Sequence, residues 1–239
     1  MTTALDMEAP ARLSANELLP VAGVSPLTTV DFPSRLALTV FTQGCPWRCG
    51  YCHNAALRPL DQPTSWRWRR VCELLEERRG FLEAVVFSGG EPTLHRGLEA
   101  ALRTVRGKDL LTGLHTAGVF PDRLRLLLPW IDWVGLDVKA PLDKRYAQLT
   151  GDGQSAAKVL ASLELLRAAG VPLQLRTTVG PGALSEQAFD ELRRQLRALG
   201  APEPIRQEVR PVRADGPPQE PCGGDHSASL IAADGSPGL

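Results

Sequence analysis

Three cysteines, Cys45, Cys49 and Cys52, fall within eight residues of the stretch FTQGCPWRCGYCHN at the spacing C-x3-C-x2-C. Thiolates so placed point to zinc or to an iron–sulfur centre. Structural zinc takes four ligands, and the chain offers no ready fourth. His53 adjoins Cys52, and immediate neighbours rarely reach one tetrahedral centre. Cys72 falls on the apolar face of an expected helix, while Cys222 and His226 lie far along the chain. A [4Fe–4S] cubane gives the shortage a purpose: three thiolates leave one iron open to a further ligand, as catalytic zinc sites keep one position open.

Other segments carry groups that could assist. An apolar run at 84–88 leads into SGGEP, where Gly89 and Gly90 allow close backbone approach and Glu91 adds an acceptor. A tight βα turn is the plainer reading. HTAG, at 115–118, follows the next apolar run, and there His115 is either a site residue or an ordinary polar residue at a strand end. In GLDVKAP, Asp137 and Lys139 are two apart and face one side of an extended strand, as an ion pair or as part of a site.

Six buried strands are expected at 36–42, 84–88, 110–116, 133–138, 173–179 and 206–212. Helical stripes lie between them: Trp68, Val71, Cys72 and Leu75; Val159, Leu163 and Leu166; Phe189, Leu192, Leu196 and Leu199, with Ser185 as N-cap. Strands alternating with helices imply an α/β fold with a parallel sheet, open or barrel-like. The cysteine loop, SGGEP, HTAG and Asp137/Lys139 all fall at C-terminal strand ends, the face on which βα barrels build active sites. That clustering favours a partial (β/α)6 barrel of the TIM type, open on one side. The expected division is an N-terminal extension over 1–20, the barrel over 21–212 and a Gly/Pro/Ser-rich tail over 213–239.

Composition narrows the partners. The 239 residues include 27 Lys plus Arg and 27 Asp plus Glu, so no net basic charge favours nucleic acid. The short basic run WRWRR, residues 66–70, reads as an exposed helix face anchored by its tryptophans. With no secretory pattern and no long apolar span, a cytoplasmic setting without membrane contact is expected, where cysteines serve metals more than disulfides.

CPWRCGYC resembles the signature of the radical S-adenosylmethionine (radical SAM) superfamily. The resemblance implies a [4Fe–4S] cluster on Cys45, Cys49 and Cys52, with S-adenosylmethionine chelating the open iron. Its reductive cleavage would yield a 5′-deoxyadenosyl radical that abstracts hydrogen. It further implies that Tyr51 lies against the adenine, and that Gly89, Gly90 and Glu91 hold the cofactor's amino group. Thr116 and Gly118 match an Asp-Thr-Asn-Gly segment of related activating enzymes, whereas His115 departs from it. Asp137 and Lys139 resemble a charged pair beside the cofactor, and Arg176 resembles an arginine of the same group. YCHN and TTVDFPSR resemble glycyl-radical enzyme activases, in which glycine often follows the proline; here it is Ser34. The pattern, over roughly residues 20–212, is most similar to proteins activating anaerobic ribonucleoside-triphosphate reductase, with pyruvate formate-lyase activation close by. It implies an oxidoreductase with a glycyl-radical enzyme as protein substrate and a flavodoxin or ferredoxin as electron donor. A small-molecule radical enzyme resembling 7-carboxy-7-deazaguanine synthase is the alternative.

Overall fold

A computed structural model describes residues 19–209. The expected tail, and all but residues 19 and 20 of the expected N-terminal extension, lie outside them. Seven strands form one sheet in chain order: β1 (Val21–Thr28), β2 (Ala37–Thr42), β3 (Ala84–Gly89), β4 (Leu111–Thr116), β5 (Trp133–Asp137), β6 (Leu173–Val179) and β7 (Ile205–Glu208). β2 to β7 run parallel, and the order ends at β1 and β7 without closing. Six α-helices occur among the described residues: α1 (Trp68–Glu77), α2 (Leu98–Arg106), α3 (Pro121–Leu127), α4 (Lys144–Thr150), α5 (Ser155–Ala169) and α6 (Glu186–Ala198). None is long and apolar enough to cross a membrane.

One strand escaped the sequence reading. β1 pairs antiparallel with β2, and its run VAGVSPLT carries Gly23, Ser25 and Pro26, which mask a strand signal. Proline is tolerated there because an edge strand can leave a backbone position unpaired. The last strand, expected over 206–212, is Ile205–Glu208, and residues 210–212 lie outside the described region.

Alternation along the strands separates two environments. Leu38, Val40, Val85, Phe87, Leu114, Val134, Leu136 and Leu175 are fully buried beneath the helical stripes. Trp68, Val71 and Leu75 of α1, Val159, Leu163 and Leu166 of α5, and Phe189, Leu192 and Leu196 of α6 supply that cover. Leu199 ends its stripe at 36% exposure, and Cys72 is half-buried against the core. Ser185 caps α6, its hydroxyl accepting from the Ala188 N–H at 3.3 Å. In WRWRR, Trp66 and Trp68 are buried while Arg67 and Arg69 face solvent.

On the inner face a smaller apolar cluster, Phe32, Ala37, Ala84, Val86 and Trp133, closes one end. Along β3 that face passes from Ala84 and Val86 to Ser88, so the barrel turns polar toward its C-terminal end. Phe32 is delivered by the loop between β1 and β2, where its ring meets Trp133 at 5.5 Å. The loop turns sharply, with the Arg35 N–H donating to the Phe32 carbonyl and Ser34 held at φ 59. A side chain in this left-handed backbone conformation is strained. Ser34→Gly is expected to stabilise the fold by about 1 kcal/mol and raise the thermal midpoint by about 2–4 °C. An unchanged or lower midpoint in a melting experiment would show that the serine side chain offsets the strain.

Candidate active site

The cysteine loop leaves β2 and is fixed by backbone bonds before any ligand is considered. Gly44 N–H donates to the Leu57 carbonyl at 2.7 Å, Cys45 N–H to that of Arg58 at 3.1 Å, and Cys52 N–H to that of Cys49 at 3.2 Å. The buried Gln43 amide donates to the Ala56 and Pro59 carbonyls at 3.3 and 2.8 Å, tying the two legs of the loop together. Distant anchors complete it. The Trp47 indole N–H donates to Asp152 at 3.0 Å, its ring meets Tyr146 edge-on at 5.9 Å, and Arg48 N–H donates to the Thr150 carbonyl at 2.8 Å. No role for Trp47, Tyr146 or Asp152 was legible in the sequence, because partners about a hundred residues apart leave no local pattern.

Gly89 and Gly90 are required by packing. Gly89 has φ +109, and a Cβ there would fall 2.4 Å from the Thr42 nitrogen; one on Gly90 would fall 2.2 Å from the Gly44 oxygen. β3 therefore exits directly against the cysteine loop, sealed by Gly90 N–H to the Thr42 carbonyl and Glu91 N–H to the Gly44 carbonyl, both 2.9 Å.

Glu91 faces the protein. It is 1% exposed, and its carboxylate accepts from the Thr93 N–H and hydroxyl, the Thr116 hydroxyl at 2.7 Å and the Ala117 N–H at 2.9 Å. Burial raises its pKa, against the pull of those hydrogen bonds. Glu91 thus locks the loops after β3 and β4 together. What this segment turns to the cavity is Ser88 and the backbone of Gly89 and Gly90, with Thr116 and Ala117 beside it.

The charged residues gather as the strand alternation predicts. Asp137 accepts from both the Arg176 Nε and Nη2, at 3.0 and 2.8 Å, and from Lys139 Nζ at 3.3 Å. Burial alone would raise the Asp137 carboxyl, but Arg176 and then Lys139 outweigh it and hold it far below the usual carboxylate range. Burial likewise works against the Lys139 ammonium, which Tyr51 and Asp137 keep well above its ordinary value. Lys139 Nζ sits 6.0 Å from the centre of the Tyr51 ring, and its backbone N–H donates to the Tyr146 hydroxyl at 3.0 Å.

One cavity of about 530 Å³ joins these groups: Cys45, Cys49 and Cys52, Tyr51, Gly89 and Gly90, Thr116, Asp137, Lys139 and Arg176 all line it. Of the residues expected to hold the cluster or the cofactor, Glu91 alone stands behind the wall. The volume suits a cofactor-sized molecule. The donors suit an iron–sulfur centre, since the three thiols are free of disulfides and share the cavity. Burial, followed by the Glu91 charge, pushes the Cys45 thiol up to about 12, and burial raises Cys49 as well. Ligation at these positions therefore means losing protons to the metal.

The site is thus an open, mostly parallel α/β barrel with three free thiols at its C-terminal mouth. Comparison gives the family: the model for the Radical SAM superfamily matches residues 39–196, and the chain belongs to that superfamily. Its members use a [4Fe–4S] cluster and S-adenosylmethionine, and the described fold is their partial TIM barrel. A Methanocaldococcus jannaschii protein named as an inferred glycyl-radical enzyme activating enzyme is 28% identical over 197 residues, 74% of this chain and 75% of its own. A PqqA peptide cyclase of Granulibacter bethesdensis is 29% identical over 199 residues, and this chain spans only 49% of its length. The crystal structure of Streptococcus suis SuiB bound to S-adenosylmethionine superposes with a TM-score of 0.58 at 15% identity, over 72% of this chain and 40% of that one, a likeness of fold.

Proposed function

We propose that this chain is a radical SAM activase that installs a glycyl radical on a partner enzyme, and that the partner is anaerobic ribonucleoside-triphosphate reductase. The observation that carries the reading is the rim of the cavity. Val30, 84% exposed, and Ile205, 48% exposed, line the same space as the three cysteines, so a substrate too large to be enclosed has a route to the cluster end. The M. jannaschii relative, matched over three quarters of each chain, supports the same reading.

In this reading Cys45, Cys49 and Cys52 hold the cluster. The Gly89–Gly90 backbone and Thr116 border the methionyl end of the cofactor, the Tyr51 ring offers a flat face to the adenine, and Asp137, Lys139 and Arg176 meet its charged groups. Glu91 acts by holding the Gly-Gly backbone in place. When bound, the cluster and S-adenosylmethionine would supply one-electron chemistry, drawing the electron from an external donor and a hydrogen atom from the substrate glycine. Pro46, Arg48 and Gly50, exposed between the cysteines, give a flavodoxin or ferredoxin access to that centre. The barrel over 21–212 is the catalytic unit, and the setting is an anaerobic cytoplasm.

The Granulibacter relative supports a second reading, in which a free peptide is the substrate. The test combines anaerobically reconstituted, reduced protein, S-adenosylmethionine and the reductase, followed by electron paramagnetic resonance. A glycyl doublet on the reductase, with 5′-deoxyadenosine formed alongside, is expected. Deoxyadenosine without any radical on the reductase, while a known activase produces one in parallel, would remove the reductase from the proposal.

A further inference from the structure

His115 lines the cavity, yet nothing above gives it a role there. It lies on β4 with its ring inside the barrel, 9% exposed and edge-on to Trp133 at 5.4 Å. Its Nε2 is 2.9 Å from the backbone oxygen of Asp31, on the loop that follows β1. A carbonyl oxygen only accepts, so Nε2 must carry a proton. Arg176 crowds the same patch of wall: a Cβ on Gly135 would meet His115 Cδ2 at 3.0 Å and Arg176 Cζ at 3.1 Å. Burial and the Arg176 charge, opposed by Asp31 and Asp137, lower the imidazole pKa to about 4. The ring is therefore neutral near pH 7, and its lone pair sits on Nδ1. The Asp31 contact is the ring's one hydrogen bond among the described residues, so Nδ1 is left for the contents of the cavity.

We propose that His115 is a cofactor-binding residue, its Nδ1 accepting a hydrogen bond from an N–H or O–H group of bound S-adenosylmethionine while the Asp31 carbonyl fixes the tautomer. Position favours the cofactor over the protein substrate. Parallel register pairs the preceding Leu114 with Phe87, two residues before the Gly-Gly turn, and pairs His115 itself with Gly135, two residues before Asp137. Its neighbour Thr116 is tied to Glu91. A loop of another protein would arrive instead at the exposed rim of Val30 and Ile205. The inference needs only the cofactor, and it holds whichever partner protein is the substrate.

Two amide substitutions separate binding from support. In His115→Gln the amide reaches the place of Nε2 and can still donate to Asp31, but nothing replaces Nδ1. In His115→Asn the amide oxygen takes the place of Nδ1, and the tether is lost. The measurement is the S-adenosylmethionine Kd of the reconstituted, unreduced protein by equilibrium dialysis, with a thermal melt on each variant. The glutamine variant is expected to keep its melting midpoint and bind about tenfold more weakly, while the asparagine variant melts earlier yet stays within about threefold of wild-type affinity. Equal affinity in the two variants, or the reverse order, would overturn the proposal and leave His115 as a prop for the Asp31 loop.

Discussion

Cys49→Ala is expected to leave a folded protein that assembles no stable cluster and forms 5′-deoxyadenosine more than about 100-fold more slowly, beyond what outer-shell partners of metal sites usually contribute. The fold should survive because the loop does not depend on this sulfur. The Cys49 carbonyl still accepts from Cys52 N–H and from Arg58, and Trp47 and Arg48 still anchor the loop to Asp152 and Thr150. Removing one buried sulfur should cost about 1 kcal/mol of stability. The chemistry has no such redundancy, since among the described residues only three thiols line the cavity. Cys72→Ala is the matched control: that thiol is half-buried on α1, raised by its own partial burial, and borders no part of the cavity. Iron per chain and deoxyadenosine should fall with Cys49→Ala and hold with Cys72→Ala. Wild-type iron and turnover in the Cys49 variant would contradict the assignment of this loop.

What the chain disclosed in advance follows from the range of each interaction. Strands β2 to β6 were legible because each is a short apolar run between helical stripes, and the β6 bounds coincide with the expectation. The pairing of Asp137 with Lys139 was legible too, since a two-residue spacing fixes a common face. β1 was hidden because an edge strand needs apolar residues on one face only, and Gly23 and Pro26 break even that pattern. The partners of Glu91 were hidden for another reason. An acidic residue at a strand end reads as a ligand group, whereas its four donors come from Thr93 nearby and from Thr116 and Ala117 one strand away. The His115 contact with Asp31 joins residues 84 apart and becomes visible only when the loop after β1 folds into the barrel. Local periodicity therefore exposed the positions of the chemistry, and three-dimensional packing decided which atoms are free to perform it.

That distinction makes Gly90→Ala the sharper test of how the site is assembled. The added methyl would lie 2.2 Å from the Gly44 oxygen, 2.7 Å from the Gly44 carbon and 2.9 Å from the Leu57 oxygen, all of them backbone. No side-chain rotation relieves such a contact, so either the exit of β3 or the root of the cysteine loop must move. Movement would break the Glu91 N–H bond to the Gly44 carbonyl and drag Glu91 away from Thr116 and Ala117. Overpacking plus one or two lost buried hydrogen bonds should cost about 2–4 kcal/mol. Because Gly44 directly precedes Cys45, the displacement also reaches the first thiol. The expected result is a protein with near-native far-ultraviolet circular dichroism, a clearly lowered denaturation midpoint and sharply reduced iron after reconstitution. Gly50→Ala sets the contrast, since a Cβ at Gly50 meets nothing within 4 Å although it lies between the same cysteines. If Gly90→Ala loaded iron as well as Gly50→Ala, the contact between the β3 exit and the cysteine loop would not be what shapes the site.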